Sequence, residues 1–212
     1  TRWIRTSSRR PWRPWRTANR TKAKRRRSRR RWRFRVADLF VPRKNAKSTI
    51  AAVIGVYMLA VDGEFGAEVY SGATSQDQAL EVFRPALLMA RATPIYRSKY
   101  GVVANASNLS VLDKNAKFEP VIGNPGDGSS PSCAIIDEFH EHKTPELYET
   151  MQTGMGARSQ PLMLVITTAV ENLFSPCYDM DKDAIRVLDQ PTHFAFASKC
   201  DYDAFGKTVG VG

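Results

Sequence analysis

Cysteine is scarce in this chain: Cys133, Cys177 and Cys200 are the only three, odd in number and widely spaced. That excludes a disulfide framework and suits a reducing compartment. No run of eighteen apolar residues and no signal-peptide pattern occurs, so the sequence predicts no membrane partner. Zinc-type patterns are missing too. His140, His142, Cys133 and the neighbouring acids fit neither HExxH nor paired CxxC spacing. Acidic residues are absent from the first 35 positions, which hold 17 arginines and lysines. The rest of the chain carries 15 basic against 21 acidic residues, so the whole net charge of +11 comes from the leader.

A segment so basic and so poor in apolar pattern predicts disorder and salt-sensitive binding to polyanions. Trp3, Trp12, Trp15 and Trp32 stand among its arginines and are of a type that stacks on bases. Two readings of residues 1–30 stand side by side: a nucleic-acid-binding arm, or translation in a shifted reading frame. The remaining length suits one α/β domain over residues 31–190, followed by a divergent, truncated tail at 191–212.

Glycine is missing where a phosphate-binding turn most uses it. Phe34 to Val41 (FRVADLFV) reads as a buried strand and Ser48 to Ala60 (STIAAVIGVYMLA) as a helix, with PRKNAK between them. A strand-to-helix turn of this kind presents backbone N–H groups and the positive end of a helix dipole to an anion. Lys47 is placed to meet the β- and γ-phosphates, and Ser48 to give an oxygen to Mg²⁺. The P-loop pattern has glycines where this chain has Val41 and Ala46. Ala46 is a small change if it already lies in the helix, because a Cβ is costly only where φ is positive. A lysine-rich surface loop before a helix is the bland alternative.

The second half of such a site stands about ninety residues on. Ser132 to Ile136 (SCAII) follows the turn-rich stretch GNPGDGSSP and reads as a strand that ends in Asp137 and Glu138. In a parallel sheet the carboxyl ends of the strands face the ligand crevice. Asp137 is therefore expected near Mg²⁺, and Glu138 beside the γ-phosphate to activate water. Acidic capping of the next helix is the alternative.

Five strings in order, RWRFRVADLFVPRKNAKST, YSGATSQDQA, GNPGDGSSPSCAIIDEFHEH, TGMGARSQPL and ITTA, resemble the ATPase domain of tailed-phage large terminase subunits over roughly residues 31–180. The resemblance implies a P-loop NTPase of the RecA/ASCE type, an α/β fold whose mainly parallel sheet carries helices on both faces. It implies ATP and Mg²⁺ in a loop of Arg43, Lys44, Asn45, Ala46, Lys47, Ser48 and Thr49. Arg43 would help neutralise transferred phosphoryl charge, and Thr167 and Thr168 in ITTA would couple hydrolysis to movement. The implied partners are double-stranded DNA, a small terminase subunit, a portal protein and further copies in a ring. The implied location is the host bacterial cytoplasm, transiently at the procapsid portal. No nuclease activity is expected from this stretch, and residues 1–30 hold no glutamine for adenine recognition.

Arg158 in GMGAR has two readings: reaching a neighbouring subunit's nucleotide, or pairing with a nearby carboxylate. DEFH is also similar to the DExH signature of superfamily 2 helicases. That family, or an inactive prophage remnant that only binds nucleic acid through its leader, is the competing reading. Alternation of strand and helix supports the parallel sheet: Ala67–Tyr70 reads as a strand, and Ser75 with Gln78 as a capping box opening a helix that contains Pro85. Thr144 and Pro145 open another helix, and Pro161 to Ile166 (PLMLVI) reads as a strand that brings Thr167 and Thr168 to the same edge as Asp137.

Overall fold

The computed structural model describes residues 34–42, 44–123, 128–168, 175–186 and 193–197. The leader, Arg43 and most of the tail lie outside the described residues. Strand β1 (Val36–Phe40) leads through the phosphate-loop segment into α1 (Lys47–Val56), which closes in a π turn over Tyr57–Val61. Next come β2 (Glu68–Ala73), α2 (Gln76–Ala92), α3 (Pro94–Tyr100), β3 (Val102–Ala104), β4 (Leu109–Val111) and β5 (Ala116–Ile122). The described part ends with β6 (Cys133–Asp137), α4 (Glu146–Gly154), β7 (Leu162–Thr167), α5 (Pro176–Arg186) and β8 (His193–Ala197).

The strands among the described residues join one eight-stranded sheet in the order β3-β4-β5-β2-β6-β7-β1-β8. From β5 to β8 every pairing is parallel, and the β3–β4 and β4–β5 pairings at one edge are antiparallel, so β4 alone runs opposite to the rest. β8, inside the segment predicted as a divergent tail, pairs with β1. Strand β7 lies between β1 and β6. This order brings the loop after β1, the acids ending β6 and the threonines ending β7 to one edge, although they are far apart in sequence.

The apolar runs of β6 and β7 are explained by burial on both faces, as expected for interior parallel strands. Cys133, Ile135, Leu164 and Ile166 join one core with Ala51, Ala52, Met58, Val82, Phe83 and Phe118, which belong to or adjoin α1 and α2. Their alternates, Ala134, Ile136, Met163 and Val165, join a second core with Phe139, Leu147, Met151 and Cys177 under α4 and α5. The period-2 alternation of side chains thus divides the apolar surface between two layers of helices. Two glycines permit close approach. A Cβ on Gly55 of α1 would stand 2.7 Å from the Phe118 ring, and one on Gly72 of β2 would stand 2.8 Å from Leu147.

Helix α2 starts as its sequence predicts, with the Ser75 hydroxyl accepting from the Gln78 N–H at 3.4 Å, and Pro85 sits inside it without ending it. α4 begins at Glu146 with Pro145 as its N-cap, so the proline costs no helical hydrogen bond.

Candidate nucleotide site

The loop entering α1 is more strained than its sequence indicated. Ala46 is the N-cap of α1 and has φ 55 and ψ 22, left-handed, and Lys44 has φ 69. The condition under which alanine would be a small change is not met: the helix begins one residue later, and Ala46 occupies the positive-φ position at which glycine is usual. Such a residue costs on the order of 1–3 kcal/mol, and strain of this kind concentrates at functional turns. φ is positive at Lys44 and Ala46 but not at Asn45, and alternation between left- and right-handed residues is the pattern from which anion-binding backbone nests are built. The Asn45 side chain donates to the Pro42 carbonyl at 3.2 Å and so braces the loop.

At the carboxyl edge of the sheet, the Lys47 ammonium pairs with Glu138 Oε1 at 2.5 Å. Lys47 is 8% exposed, so this is a largely dehydrated cation held by one carboxylate. The Ser48 hydroxyl donates to Asp137 Oδ2 at 3.2 Å, and the Glu138 N–H donates to Asp137 Oδ1 at 2.9 Å. Glu138 is itself left-handed, with φ 48 and ψ 48, a further non-glycine residue under strain at this edge. A cleft of about 530 Å³ opens here, with Lys44, Ala46, Lys47, Ser48, Thr49, Asp137 and Glu138 along one side. Gln78, Glu81, Pro85 and Glu141 line it as well, and the Gln78 amide donates to Glu141.

The donor set fits a magnesium-bound phosphate chain. Ser48 and Asp137 offer adjacent oxygens, and Mg²⁺ takes one or two protein oxygens while phosphates and water complete its shell. A single buried lysine beside them supplies the positive charge a phosphate needs.

Burial pushes the Asp137 carboxyl up to about 6, and the neighbouring Glu138 charge adds to this, while Lys47, the Glu138 N–H and the Ser48 hydroxyl pull the other way. Because the folded-state value lies above the ordinary 3.8, Asp137 favours the folded chain at low pH, and that contribution is lost as pH rises through about 6. In metal-free buffer Asp137→Asn is therefore expected to flatten the fall in thermal stability between about pH 4 and about pH 6.5. It should also stabilise the chain at the upper end by on the order of a few kcal/mol. Melting curves at the two pH values check this, and identical slopes for both proteins would contradict it.

Beside Glu138 stands a second polar cluster. His140 Nδ1 lies 3.0 Å from Thr167 Oγ1 and 3.3 Å from Glu138 Oε2, and Thr168 Oγ1 is 3.3 Å from His140 Nε2. The 3.3 Å contact to Glu138 Oε2 is close enough for ion pairing but is not aligned as a hydrogen bond. His142 is buried with Nε2 3.4 Å from the Asp137 carbonyl, and burial lowers its pKa.

Arg158 lies elsewhere. Its Nε donates to the Ser130 carbonyl at 2.7 Å, and its guanidinium pairs with Glu68 at 3.2 Å and Glu64 at 4.0 Å. Glu68 opens β2 and Ser130 precedes β6, so this cluster sits at the amino edge of the sheet, the opposite end of β6 from Asp137. At about 3.3 Å per strand residue the two edges are roughly 15 Å apart. Within this chain Arg158 pairs with these carboxylates, and strand order carries the GMGAR segment to the edge away from the chain's own cleft.

Of the predicted residues, Lys47, Ser48, Asp137 and Glu138 converge, Lys44, Ala46 and Thr49 line the cleft beside them, and Thr167 and Thr168 stand behind Glu138. The sequence marks Gln78 only as part of a capping box and His140 only within a possible metal cluster and the DEFH string; neither these nor Glu81 and Glu141 are assigned to the cleft by sequence.

A family model described as the terminase large subunit, ATPase domain, matches residues 14–186, reaching into the basic leader ahead of Arg31. Protein YmfN of Escherichia coli strain K12 is 61% identical over 64 residues, which are 30% of this chain and 14% of that protein. The terminase large subunit of Enterobacteria phage HK97 is 28% identical over 142 residues, 65% of this chain and 28% of its own length. The crystal structure of the HK97 large terminase superposes with a TM-score of 0.67 at 26% identity, over 77% of this chain and 35% of that one. The large terminase of a thermophilic bacteriophage, solved in complex with ADP, shares the fold, with a TM-score of 0.52 at 9% identity over 83% of this chain and 46% of that one. The chain thus spans less than half the length of each of these relatives.

Proposed function

The chain belongs to the family of terminase large subunit ATPase domains, and on that premise we propose that its cleft hydrolyses ATP to drive double-stranded DNA into a procapsid. The observation that carries this reading is the convergence of Lys47, Ser48, Asp137 and Glu138 on one cleft at the carboxyl edge of a parallel sheet. Lys47 holds the β- and γ-phosphates. Ser48 and Asp137 hold Mg²⁺, which when bound offsets charge on the phosphate oxygens. Glu138, released from Lys47 by the incoming phosphate, orients and deprotonates water. Backbone N–H groups from Lys44 to Thr49 cradle the phosphates.

Arg43 lies outside the described residues, and its role in neutralising phosphoryl charge rests on the family resemblance. Thr167 and Thr168 serve as the coupling segment. Double-stranded DNA, a small terminase subunit, a portal protein and further copies in a ring are the partners this reading carries. The site of action is the host cytoplasm and the procapsid portal.

The helicase reading and the motor reading separate on one comparison. With the full chain, double-stranded DNA is expected to raise the rate of ATP hydrolysis severalfold while a forked duplex stays annealed. Strand separation that depends on ATP would transfer the chain to the helicase reading. DNA binding without hydrolysis would support a remnant.

A further inference from the structure

We propose that His140 is a positioning residue that hands one hydrogen bond between Thr167 and Glu138, according to whether Lys47 holds Glu138 or a phosphate. This rests on the reading of Lys47 and Glu138 given above. The starting observation is that the two oxygens of Glu138 face different partners. Oε1 takes the Lys47 ammonium at 2.5 Å, and Oε2 is buried 3.3 Å from His140 Nδ1 without an aligned hydrogen bond.

The bonds around Thr167 place a proton on His140 Nδ1. Thr167 Oγ1 stands 3.2 Å from the Thr168 carbonyl, which can only accept, so the Thr167 hydroxyl proton goes there. Thr167 Oγ1 then accepts from the His140 backbone N–H at 3.2 Å and from Nδ1–H at 3.0 Å. Thr168 Oγ1, 3.4 Å from Nδ1 and 3.3 Å from Nε2, does not distinguish the two ring nitrogens, and Glu141 Oε1 lies 3.8 Å from Nε2. In this arrangement Nδ1–H has one acceptor in use, Thr167 Oγ1, and a second, Glu138 Oε2, within reach.

Charge decides between them. While Lys47 neutralises Glu138, the carboxylate attracts Nδ1–H weakly and Thr167 keeps it. A phosphate that draws Lys47 away leaves Glu138 uncompensated in a poorly hydrated site, where a charge-assisted hydrogen bond is roughly twice as strong as a neutral one. Nδ1–H then turns to Oε2 and fixes the carboxylate that must orient water. Thr167 loses a donor in the same event. It is well placed to pass this on: its carbonyl accepts from the Val41 N–H at 3.0 Å, where the phosphate loop begins, and its Oγ1 lies 3.8 Å from Cys177 Sγ on α5. One imidazole thus links occupancy of the phosphate site to the end of β7, the start of the loop and α5.

Two measurements on the full chain test this. In steady-state hydrolysis, His140→Ala is expected to lower kcat by at least roughly tenfold with KM for MgATP within about twofold, because positioning acts on the chemical step. His140→Asn, whose amide N–H can take the place of Nδ1–H, should recover most of that loss. An unchanged kcat in His140→Ala, or His140→Asn no better than His140→Ala, overturns the proposal. The second measurement needs no turnover. The chain has three histidines, so imidazole ¹⁵N resonances are separable. Lys47→Ala should shift those of His140 as Nδ1–H moves to Glu138. His140 resonances indifferent to Lys47→Ala would overturn the linkage. Absence of hydrolysis in the wild type would instead count against the catalytic reading alone, since the resonance shift is read without it.

Discussion

Glu138→Gln is expected to bind MgATP within about threefold of the wild-type affinity and to lose roughly 10²–10⁴ in turnover, the usual worth of a positioned general base. The amide matches the carboxylate in size and can still accept from Lys47, so the left-handed backbone at position 138 and the cleft wall are kept. What disappears is the negative charge that draws a proton from water. Equilibrium binding of a fluorescent ATP analogue and steady-state phosphate release separate the two effects. Equal turnover in Glu138→Gln and wild type would remove Glu138 from catalysis. Loss of binding in proportion to turnover would make it a structural partner of Lys47.

Lys47→Ala is expected to do more. It removes the buried cation that faces both Glu138 and the phosphate position, and the loss of a preorganised donor of this kind costs roughly 10²–10³ in rate even where binding survives. Binding should not survive here. With Lys47 gone, Glu138 and Asp137 face each other without a counter-charge, and the Asp137 carboxyl, already raised by burial and by Glu138, rises further. A metal-binding carboxylate that holds its proton more tightly weakens Mg²⁺ binding at neutral pH. Nucleotide affinity and turnover should therefore both fall to background. The folded chain should also be less stable above about pH 6, because an uncompensated buried charge is costly. Retained MgATP affinity in a folded Lys47→Ala protein would show that the phosphates are held elsewhere.

Much of the fold is legible in the sequence because the parallel interior writes it plainly. SCAII and PLMLVI are short apolar runs bounded by glycine, proline and polar residues, and both are strands buried on two faces. The capping pair Ser75 and Gln78 and the apolar stretch after Lys47 likewise declare their helices. The antiparallel edge was not read. β5 contains Pro120, which argues against an interior strand. The structure resolves the conflict: β4 pairs with β5 only as far as Phe118, so Pro120 lies past the end of β4, where one side of β5 has no partner strand among the described residues and the missing N–H breaks no ladder.

The site was legible in its residue types and not in its conformations. Lys47, Ser48, Asp137 and Glu138 announce phosphate and metal chemistry by identity and spacing. The positive φ of Ala46 and Glu138 is set by tertiary constraint on residues that seldom adopt it alone, so no local signal reports it. Arg158 shows the same limit at the level of topology. Its place beside Glu64 and Glu68, away from the cleft, follows from the order of strands in the sheet. His140 was hidden differently, since a histidine two residues after an acidic pair invites a metal reading, and only the position of β7 beside β6 reveals that it faces Thr167 and Thr168.

The central claim is that this cleft is a nucleoside triphosphatase site, and the most direct test is steady-state phosphate release from MgATP by the full chain, with Lys47→Ala prepared in parallel and both shown to be folded by circular dichroism. The account predicts release by the wild-type chain that falls to background in Lys47→Ala. Release at the same rate in both proteins, or none from a folded wild-type chain in the presence of double-stranded DNA, would contradict it.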